Sequence, residues 1–456
     1  MEGTLSFERA TATLELLMSR RTSRQSTSEV LRQLRAYESA NVTYIEPDGT
    51  WPMVWERARG VHVWNPEGRR YLDLTAAFGV AAAGHANSRV VRAGQKQMER
   101  LLHAMGDVHP HRLKAELART LSAITFERWS KGKQLRTIGK TIFCNSGFEA
   151  VEAALKTASL ATGKRGVIAF EGAYHGLGYG TLNVTHREHF KAPFRTQLNE
   201  FGCFLPFPTS DAALKPLERL LEKNTSGMGA LLVEPIQARG GIRVPPKEFL
   251  AMVHKFCKRH EMLLICDEIY TGFGRTGAWF ASEHSDVTPD IICLGKALTG
   301  GFPLSACVGR GDLMDAAWPK SSGEAIHTST FLGHPVGCAM ALAQIAEISE
   351  RKLCERSAKL GKFLLHELRK IKGPSGVKLT ARGVGLMAGL ELQTADNLPA
   401  TEICLNVIKR MLERGFILLP EGEHSNVISF TPPLTITDEQ LGQSLDCLQK
   451  ILQECA

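Results

Sequence analysis

A lysine in a glycine-rich loop is the first residue of this sequence that suggests chemistry. Lys296 follows the short apolar run 291–294 and lies between Gly295 and the pair Gly300-Gly301. In such a loop the amine would be withdrawn from water, and desolvation lowers the pKa of a lysine. A neutral amine is a nucleophile towards an aldehyde. Taken alone, however, the position fits an ordinary surface lysine better.

An acidic pair ends a second apolar run, and its first member, Asp267, lies 29 residues before Lys296. Residues 263–266 are apolar, and Asp267 and Glu268 are followed by a glycine-rich turn. A carboxylate at the buried end of a strand needs a positive partner, because burying an unpaired charge is costly. A protonated pyridine nitrogen would be such a partner and would make the ring an electron acceptor. Pairing with Arg275, or capping of a turn, is the alternative.

A third motif combines a strand end, a polar turn and a helix within residues 144–158. The turn Asn145-Ser146-Gly147 precedes a stretch that is rich in alanine. The N-terminus of a helix directs backbone N–H groups and a positive dipole end at one point, which suits a phosphate group. An ordinary helix cap is the alternative explanation.

These motifs lie in a region of alternating strands and helices, from about residue 113 to about 310. The predicted buried strands are 141–144, 166–170, 230–233, 263–266, 291–294 and 305–308. Continuous apolar runs of this kind are typical of a parallel sheet, and their alternation with helices indicates an α/β domain. A hairpin at 60–74 and a last strand near 427–430 are assigned to a smaller α+β domain.

Composition disfavours several classes of protein. The 456 residues carry a formal net charge of +8 with acids and bases interleaved, which is not the footprint of a nucleic-acid-binding protein. The 11 cysteines form no CxxC pair and no zinc spacing, so we expect free thiols and no metal site. No apolar run approaches the roughly 20 residues of a membrane span. The sequence therefore predicts a cytoplasmic protein that binds neither nucleic acid nor membrane.

Together, in this order and spacing, the three motifs resemble those of class III aminotransferases, pyridoxal-phosphate enzymes of the aspartate-aminotransferase-like fold (fold type I). The resemblance runs from about residue 55 to about residue 440. It implies an α/β fold with a mostly parallel seven-stranded sheet in a large domain and a smaller α+β domain. The expected divisions are an N-terminal helical segment at 1–45, the first part of the small domain at 46–87, the large cofactor-binding domain at 88–340 and the remaining small domain at 341–456.

The resemblance also implies roles for individual residues. Lys296 would form the Schiff base with pyridoxal phosphate and then move a proton, and Asp267 would bind the pyridine nitrogen. The other expected cofactor contacts are Ser146, Gly147, Phe148, Tyr174, His175, Glu234, Gln237, Ile269, Tyr270 and Thr330. Thr330 matches a threonine that reaches the phosphate from a neighbouring subunit. This match implies a homodimer and leaves a tetramer open.

Several positions around the substrate depart from the family pattern or border the pocket. Ser429 replaces an arginine that grips a substrate carboxylate in many relatives, and Arg239 replaces its glutamate partner. We expect Arg239 to receive an anionic substrate group, because a guanidinium matches carboxylate geometry; a purely structural arginine is the alternative. Tyr270 replaces a glutamine that binds the cofactor's 3′ oxygen, and its hydroxyl would do the same or point elsewhere. Phe78 and Val80 are expected beside the substrate pocket, although core packing is the stronger interpretation for Phe78.

Transamination is the predicted activity. An amino group would move from an ω-amino acid or another small amine to a keto acid such as pyruvate or 2-oxoglutarate. A racemase or epimerase, an aminomutase or an ammonia-lyase on the same scaffold is the alternative, because the same lysine and aspartate serve all of these reactions. A non-catalytic relative is disfavoured, since Lys296 and Asp267 are both present. The identity of the donor and of the acceptor is left open.

Overall fold

The computed structural model describes residues 25–134 and 136–454. The first part of the predicted N-terminal helices, with Leu14, Leu17 and Met18, lies outside the described residues. The chain divides into two compact units. One contains the described residues up to Ala58 together with His62–Leu72, and the other contains Arg59–Val61 and the described residues from Asp73 onwards.

The first unit contains one helix and a hairpin. Helix α1 (Thr27–Tyr37) begins after Ser26, whose side chain accepts a hydrogen bond from the Glu29 N–H at 3.3 Å. Such a cap satisfies one of the free N–H groups at the start of a helix. The hairpin predicted at 60–74 is confirmed. Its strands pair in antiparallel fashion from His62 opposite Leu72 to Trp64 opposite Arg70.

A seven-stranded sheet dominates the second unit and confirms the predicted fold class. Its order is β4-β10-β9-β8-β7-β5-β6; β10 is antiparallel to both of its neighbours, while the pairs along the row from β9 to β6 are parallel. All six predicted strands are present, with ends that differ by at most two residues. Strand β6 was not predicted, because its four residues, Gly-Cys-Phe-Leu at 202–205, form a run too short to indicate a strand, and only Leu205 is fully buried. The strands of both units are β1 (Arg57–Arg59), β2 (His62–Trp64), β3 (Arg70–Asp73), β4 (Gly139–Cys144), β5 (Gly166–Phe170), β6 (Gly202–Leu205), β7 (Met228–Val233), β8 (Leu263–Asp267), β9 (Ile291–Leu294), β10 (Ser305–Arg310), β11 (Val377–Val384), β12 (Met387–Thr394), β13 (Phe416–Ile417), β14 (Leu419–Glu421) and β15 (Val427–Phe430).

Helices cover the large sheet and carry much of its core. In the described part of the chain, the helices of seven residues or more after α1 are α2 (Ser88–Arg100), α3 (Arg112–Ser122), α4 (Gly147–Thr162), α5 (Leu214–Lys223), α6 (Phe249–Arg259), α7 (Gly311–Ala317), α8 (Pro335–Glu350), α9 (Leu353–Leu368), α10 (Thr401–Glu413) and α11 (Asp438–Glu454). Helix α4 buries a face of small residues, including Ala150, Ala153 and Ala154, against the sheet. Small side chains let its N-terminus approach the strand ends closely. The helix stops at Gly163, which adopts the left-handed conformation at φ 64° that favours glycine.

A smaller antiparallel sheet, with the order β11-β12-β15-β14, completes the second unit. The predicted last strand is confirmed at Val427–Phe430, and β14 pairs beside it with Glu421 opposite Val427. This smaller sheet agrees with the predicted α+β part, whereas the predicted domain boundaries stay a prediction. In the described residues, no helix is both long enough and apolar enough to cross a membrane.

Candidate active site

A cavity of about 460 Å³ opens where several parallel strands end. Strands β7, β8 and β9 are parallel neighbours. Glu234 follows β7, Asp267 is the last residue of β8, and Lys296 comes two residues after the end of β9. Ligands in open α/β sheets bind at the carboxyl ends of the strands. The cavity brings together most of the sequence-predicted site residues, namely Gly147, Phe148, Tyr174, His175, Glu234, Arg239, Asp267, Ile269, Tyr270 and Lys296.

Lys296 reaches this cavity from a strained position. Its backbone φ is 36°, in the left-handed region that costs a residue with a side chain about 1 kcal/mol or more. The preceding Gly295 leaves room for Ile269, since a β-carbon there would lie 3.3 Å from the Ile269 Cγ2. Burial lowers the pKa of the Lys296 amine, and the nearby carboxylates of Asp267 and Glu234 oppose that effect. The amine is thus closer to a neutral nucleophile than a lysine in water.

Asp267 is buried and bonded to a histidine. Its Oδ2 lies 2.8 Å from His175 Nδ1, and its Oδ1 accepts the Ile269 N–H at 3.1 Å. The proposed alternative partner, Arg275, instead donates to the carbonyl groups of Leu386 and Pro432. The histidine therefore orients the carboxylate.

Glu234 is a second buried carboxyl group beside Asp267. Its two oxygens accept the N–H groups of Tyr174 at 3.0 Å and Ala238 at 3.1 Å. Burial raises its pKa to about 7, and the negative charge of Asp267 acts in the same direction. Glu234 therefore ties the Tyr174 loop and the 234–238 turn to the end of β7.

The corner at the start of α4 suits an anion. The hydroxyl of Ser146, the residue before the helix, is buried and has no hydrogen-bond partner, although its carbonyl accepts the Ser305 hydroxyl at 2.5 Å. A β-carbon on Gly147 would lie 3.1 Å from the Ile269 side chain, so glycine keeps this corner open. Helix N-terminal N–H groups and a free hydroxyl together form a binding point for phosphate.

The opposite wall carries Arg239. Its guanidinium carbon lies 5.5 Å from the centre of the Tyr174 ring, and its Nε lies 3.6 Å from Glu421 Oε2. That distance is too long for a hydrogen bond, and the buried Nε has no such partner. Burial raises the pKa of Glu421 to about 6, although Arg239 acts against the rise. Arg239 therefore lies on the cavity wall with a buried counter-ion behind it.

Some predicted residues do not line the cavity. Gln237 is buried and donates to the Glu171 carbonyl at 2.9 Å, so it supports the loop beside Tyr174. Thr330 is exposed on the surface of the subunit. Phe78 is 46% exposed, so the expectation that it packs in the core is wrong; Val80 is half-buried. Phe78 lies in a turn of residues with positive φ, its own being 60°.

The sequence did not reveal the residues that contact and position the side chains of the site. Glu421, the buried partner of Arg239, comes from β14, more than 180 positions away along the chain. The signal that could have revealed it is an acid that directly follows the apolar run 416–420 and precedes Gly422. Thr431, whose Oγ1 lies 3.2 Å from the Tyr270 hydroxyl, carried no sequence signal, and neither did Asp73, which accepts hydrogen bonds from Thr75.

The fold and the cavity are those of a pyridoxal-phosphate-dependent transferase. A profile described as Aminotransferase class-III matches residues 44–452, and the chain belongs to this family. The predictions of an enzyme, of aminotransferase activity and of pyridoxal phosphate as cofactor are thereby confirmed. The comparisons give no support to a racemase, mutase or lyase.

Curated relatives and solved structures agree with this assignment. The 5-aminovalerate aminotransferase DavT of Pseudomonas aeruginosa is 35% identical, covering 89% of this chain and 94% of that protein. The acetylornithine aminotransferase of Methanosarcina mazei is 36% identical over 88% of this chain and 92% of that protein. An amine transaminase from an uncultivated Pseudomonas species, in its PLP-bound internal aldimine form, superimposes with a TM-score of 0.83 at 27% identity, covering 92% and 99% of the two chains.

Proposed function

We propose that Lys296 holds pyridoxal phosphate and that the enzyme moves an amino group from an ω-amino acid or a related small amine to a keto acid. The observation that carries the proposal is that Lys296 and Asp267 line one cavity at the ends of adjacent parallel strands. An amine and a carboxylate so placed can face the two ends of a single aldehyde-bearing pyridine ring.

The residues present fit this cofactor. The unpartnered Ser146 hydroxyl and the N-terminus of α4 would hold the phosphate, and Ile269 would pack on one face of the ring. Asp267, oriented by His175, would bind the ring nitrogen. When bound, pyridoxal phosphate supplies an electron sink that stabilises a carbanion on the substrate.

The chain's own groups would then handle the protons. An ionised Asp267 favours a proton on the nitrogen that it contacts, because opposite charges stabilise each other in a buried site. The Lys296 amine, whose pKa is lowered by burial, can take up a proton and return it, as a general base and acid must do. Glu234 and the loop that it holds would exclude water from this side of the site.

Arg239 supports an acidic substrate. Its guanidinium lies on the cavity wall, where it could meet the carboxylate of an ω-amino acid or of a keto acid. The relatives named for 5-aminovalerate and for acetylornithine act, by their names, on molecules that carry both an amine and a carboxylate. We therefore extend that substrate class to this chain.

We also propose that the enzyme works as a homodimer in the cytoplasm. Exposed apolar side chains lie around Thr330, including Val108 at 64%, Ile326 at 66% and Phe331 at 54% exposed. Thr328 bonds to Asp107 at 2.6 Å, and this bond joins the two surface segments. Large exposed apolar patches mark interaction sites. A second copy of the chain that covered this patch would bring its own Thr330 towards the cavity of the first copy. The mass of the protein in solution tests this.

Reduction with borohydride tests the central assignment. We expect the purified holoprotein to keep one reduced pyridoxyl group on Lys296, located by mass spectrometry of its peptides. Lys296→Ala should lose the adduct and nearly all transaminase activity, by at least about 10³-fold, because the nucleophile and the proton carrier are both removed. Lys359→Ala, at an exposed helix position, is the matched control. An adduct on another lysine would overturn the proposal.

A further inference from the structure

The face of the Tyr270 ring lies against the Lys296 amine. The Lys296 Nζ is 4.4 Å from the ring centre, well within the range of a cation–π contact. The face of an aromatic ring is its negative side, so it attracts an ammonium group. This contact is short and buried, since Tyr270 is only 8% exposed.

The hydroxyl of Tyr270 is engaged elsewhere. It lies 3.2 Å from Thr431 Oγ1, and that hydroxyl in turn donates to the Thr75 carbonyl at 3.1 Å. Because a carbonyl oxygen can only accept, the single hydroxyl hydrogen of Thr431 is donated to Thr75. The Tyr270 hydroxyl is therefore the donor to Thr431. The hydroxyl anchors the ring, and the ring face is the part of Tyr270 that reaches Lys296.

A tight turn closes the space beside the ring. A β-carbon on Gly79 would lie 3.0 Å from Tyr270 Cε1, so only glycine fits there without moving the ring. The residues before it, Ala76 to Phe78, all have positive φ, between 47° and 60°. The buried Asp73 carboxylate stabilises this turn, since it accepts the Thr75 N–H at 2.8 Å and the Thr75 hydroxyl at 2.6 Å. The position of the ring is thus determined from two sides.

We propose that Tyr270 is a positioning residue whose ring face stabilises the charged form of the Lys296 amine and holds it towards the cavity. This inference rests on the proposed role of Lys296 and adds a residue that tunes it. The other groups facing the amine are the carboxylates of Asp267, Glu234 and Glu421, which also favour the ammonium form, and Arg239, which opposes it. The ring supplements these charges without adding one of its own.

Titration of the Lys296 amine in the full chain, after removal of the cofactor, tests the proposal. The rate of acylation of Lys296 is followed against pH by mass spectrometry, with the exposed Lys359 as an internal reference. We expect Tyr270→Leu to lower the midpoint by about one pH unit, because a desolvated cation–π contact contributes on that scale. Tyr270→Phe keeps the ring face and should stay near the wild-type midpoint.

A series of fluorinated phenylalanines at position 270 keeps the inference testable even if the Leu variant does not fold. Phenylalanine with one, two or three ring fluorines at position 270 keeps nearly the same shape while its ring face becomes less negative. We expect the midpoint to fall step by step along this series. An unchanged midpoint across the series, or a drop in Tyr270→Phe as large as in Tyr270→Leu, would overturn the inference. Loss of the borohydride adduct at Lys296 in the wild-type protein would instead overturn the proposed function.

Discussion

Two walls of the cavity are built in different ways. The cofactor wall consists of Glu234, Asp267 and Lys296, which follow three parallel neighbouring strands, so that the sheet itself sets their spacing. The substrate wall pairs Arg239, in a turn after β7, with Glu421, on the separate antiparallel sheet. The first wall depends on local strand order, whereas the second depends on two distant segments meeting.

With the roles proposed above for Lys296, Asp267 and Arg239, this difference would separate the reaction chemistry from the choice of substrate. Groups at the ends of a rigid sheet are held within narrow limits, as proton transfer and cofactor binding require. A wall made of a turn and a second sheet can change its charges without disturbing the first wall. Arg239 and the buried Glu421 behind it form such an arrangement, which can change specificity while the lysine and the aspartate stay in place.

The largest expected effect falls on the cofactor wall. Asp267→Asn should lower kcat by about 10²–10³-fold, because an amide cannot keep the ring nitrogen protonated. Cofactor content is measured alongside the rate, so that lost binding is separated from slower chemistry. His175→Gln is the companion variant and should have a smaller effect, since the Asp267 carboxylate is kept and only the group that orients it is changed. A fully loaded Asn variant with the wild-type kcat would remove Asp267 from the proposed role.

An intermediate effect is expected on the substrate wall. Arg239→Ala should raise KM for an acidic donor such as 5-aminovalerate by about 10–100-fold, the scale of a lost charge-assisted hydrogen bond. A neutral amine of similar length is the control, and its KM should change little. The rate with each donor is read with pyruvate and with 2-oxoglutarate as acceptor. Equal losses for the acidic and the neutral donor would mean that Arg239 is only structural.

The smallest effect concerns the buried partner of Arg239. Burial raises the pKa of Glu421 from its ordinary 4.5 to about 6. The folded protein therefore binds this proton more tightly than the unfolded chain, and the resulting stability is present below pH 4.5 and is lost as the pH rises through 6. We expect the unfolding free energy of the cofactor-free wild type to fall by about 2 kcal/mol relative to Glu421→Gln over that window.

Denaturant unfolding at a series of pH values measures this difference. The comparison uses the change with pH, so any constant loss from leaving Arg239 unpaired cancels. Above about pH 6.5 the two curves should run parallel. Parallel curves across the whole window would show that the pKa of Glu421 is not raised in the folded protein, which would contradict this prediction.

Much of the cofactor wall could be predicted because its signals are local. An apolar run ending in Asp267 and another leading to Lys296 indicate strands, and parallel strands end at one edge. The phosphate site proposed at the start of α4 could be predicted for the same reason, because a polar turn directly precedes an alanine-rich helix. Phe78 shows the limit of such reasoning, because its apolar character suggested the core, whereas it lies in a positive-φ turn and is 46% exposed.

Six strands of the large sheet, Lys296 and Asp267 at the ends of two of them, and the polar turn at 145–147 before a helix could be predicted from the amino-acid sequence alone, because each depends on residues close together in the chain. Only the tertiary structure decided which residues act through these groups. Glu421 behind Arg239, His175 beside Asp267 and the Tyr270 ring against Lys296 are contacts between residues that lie 182, 92 and 26 positions apart in the chain. Hydrogen bonds and ring contacts of this kind require a defined orientation in space, which no pattern of residue types specifies.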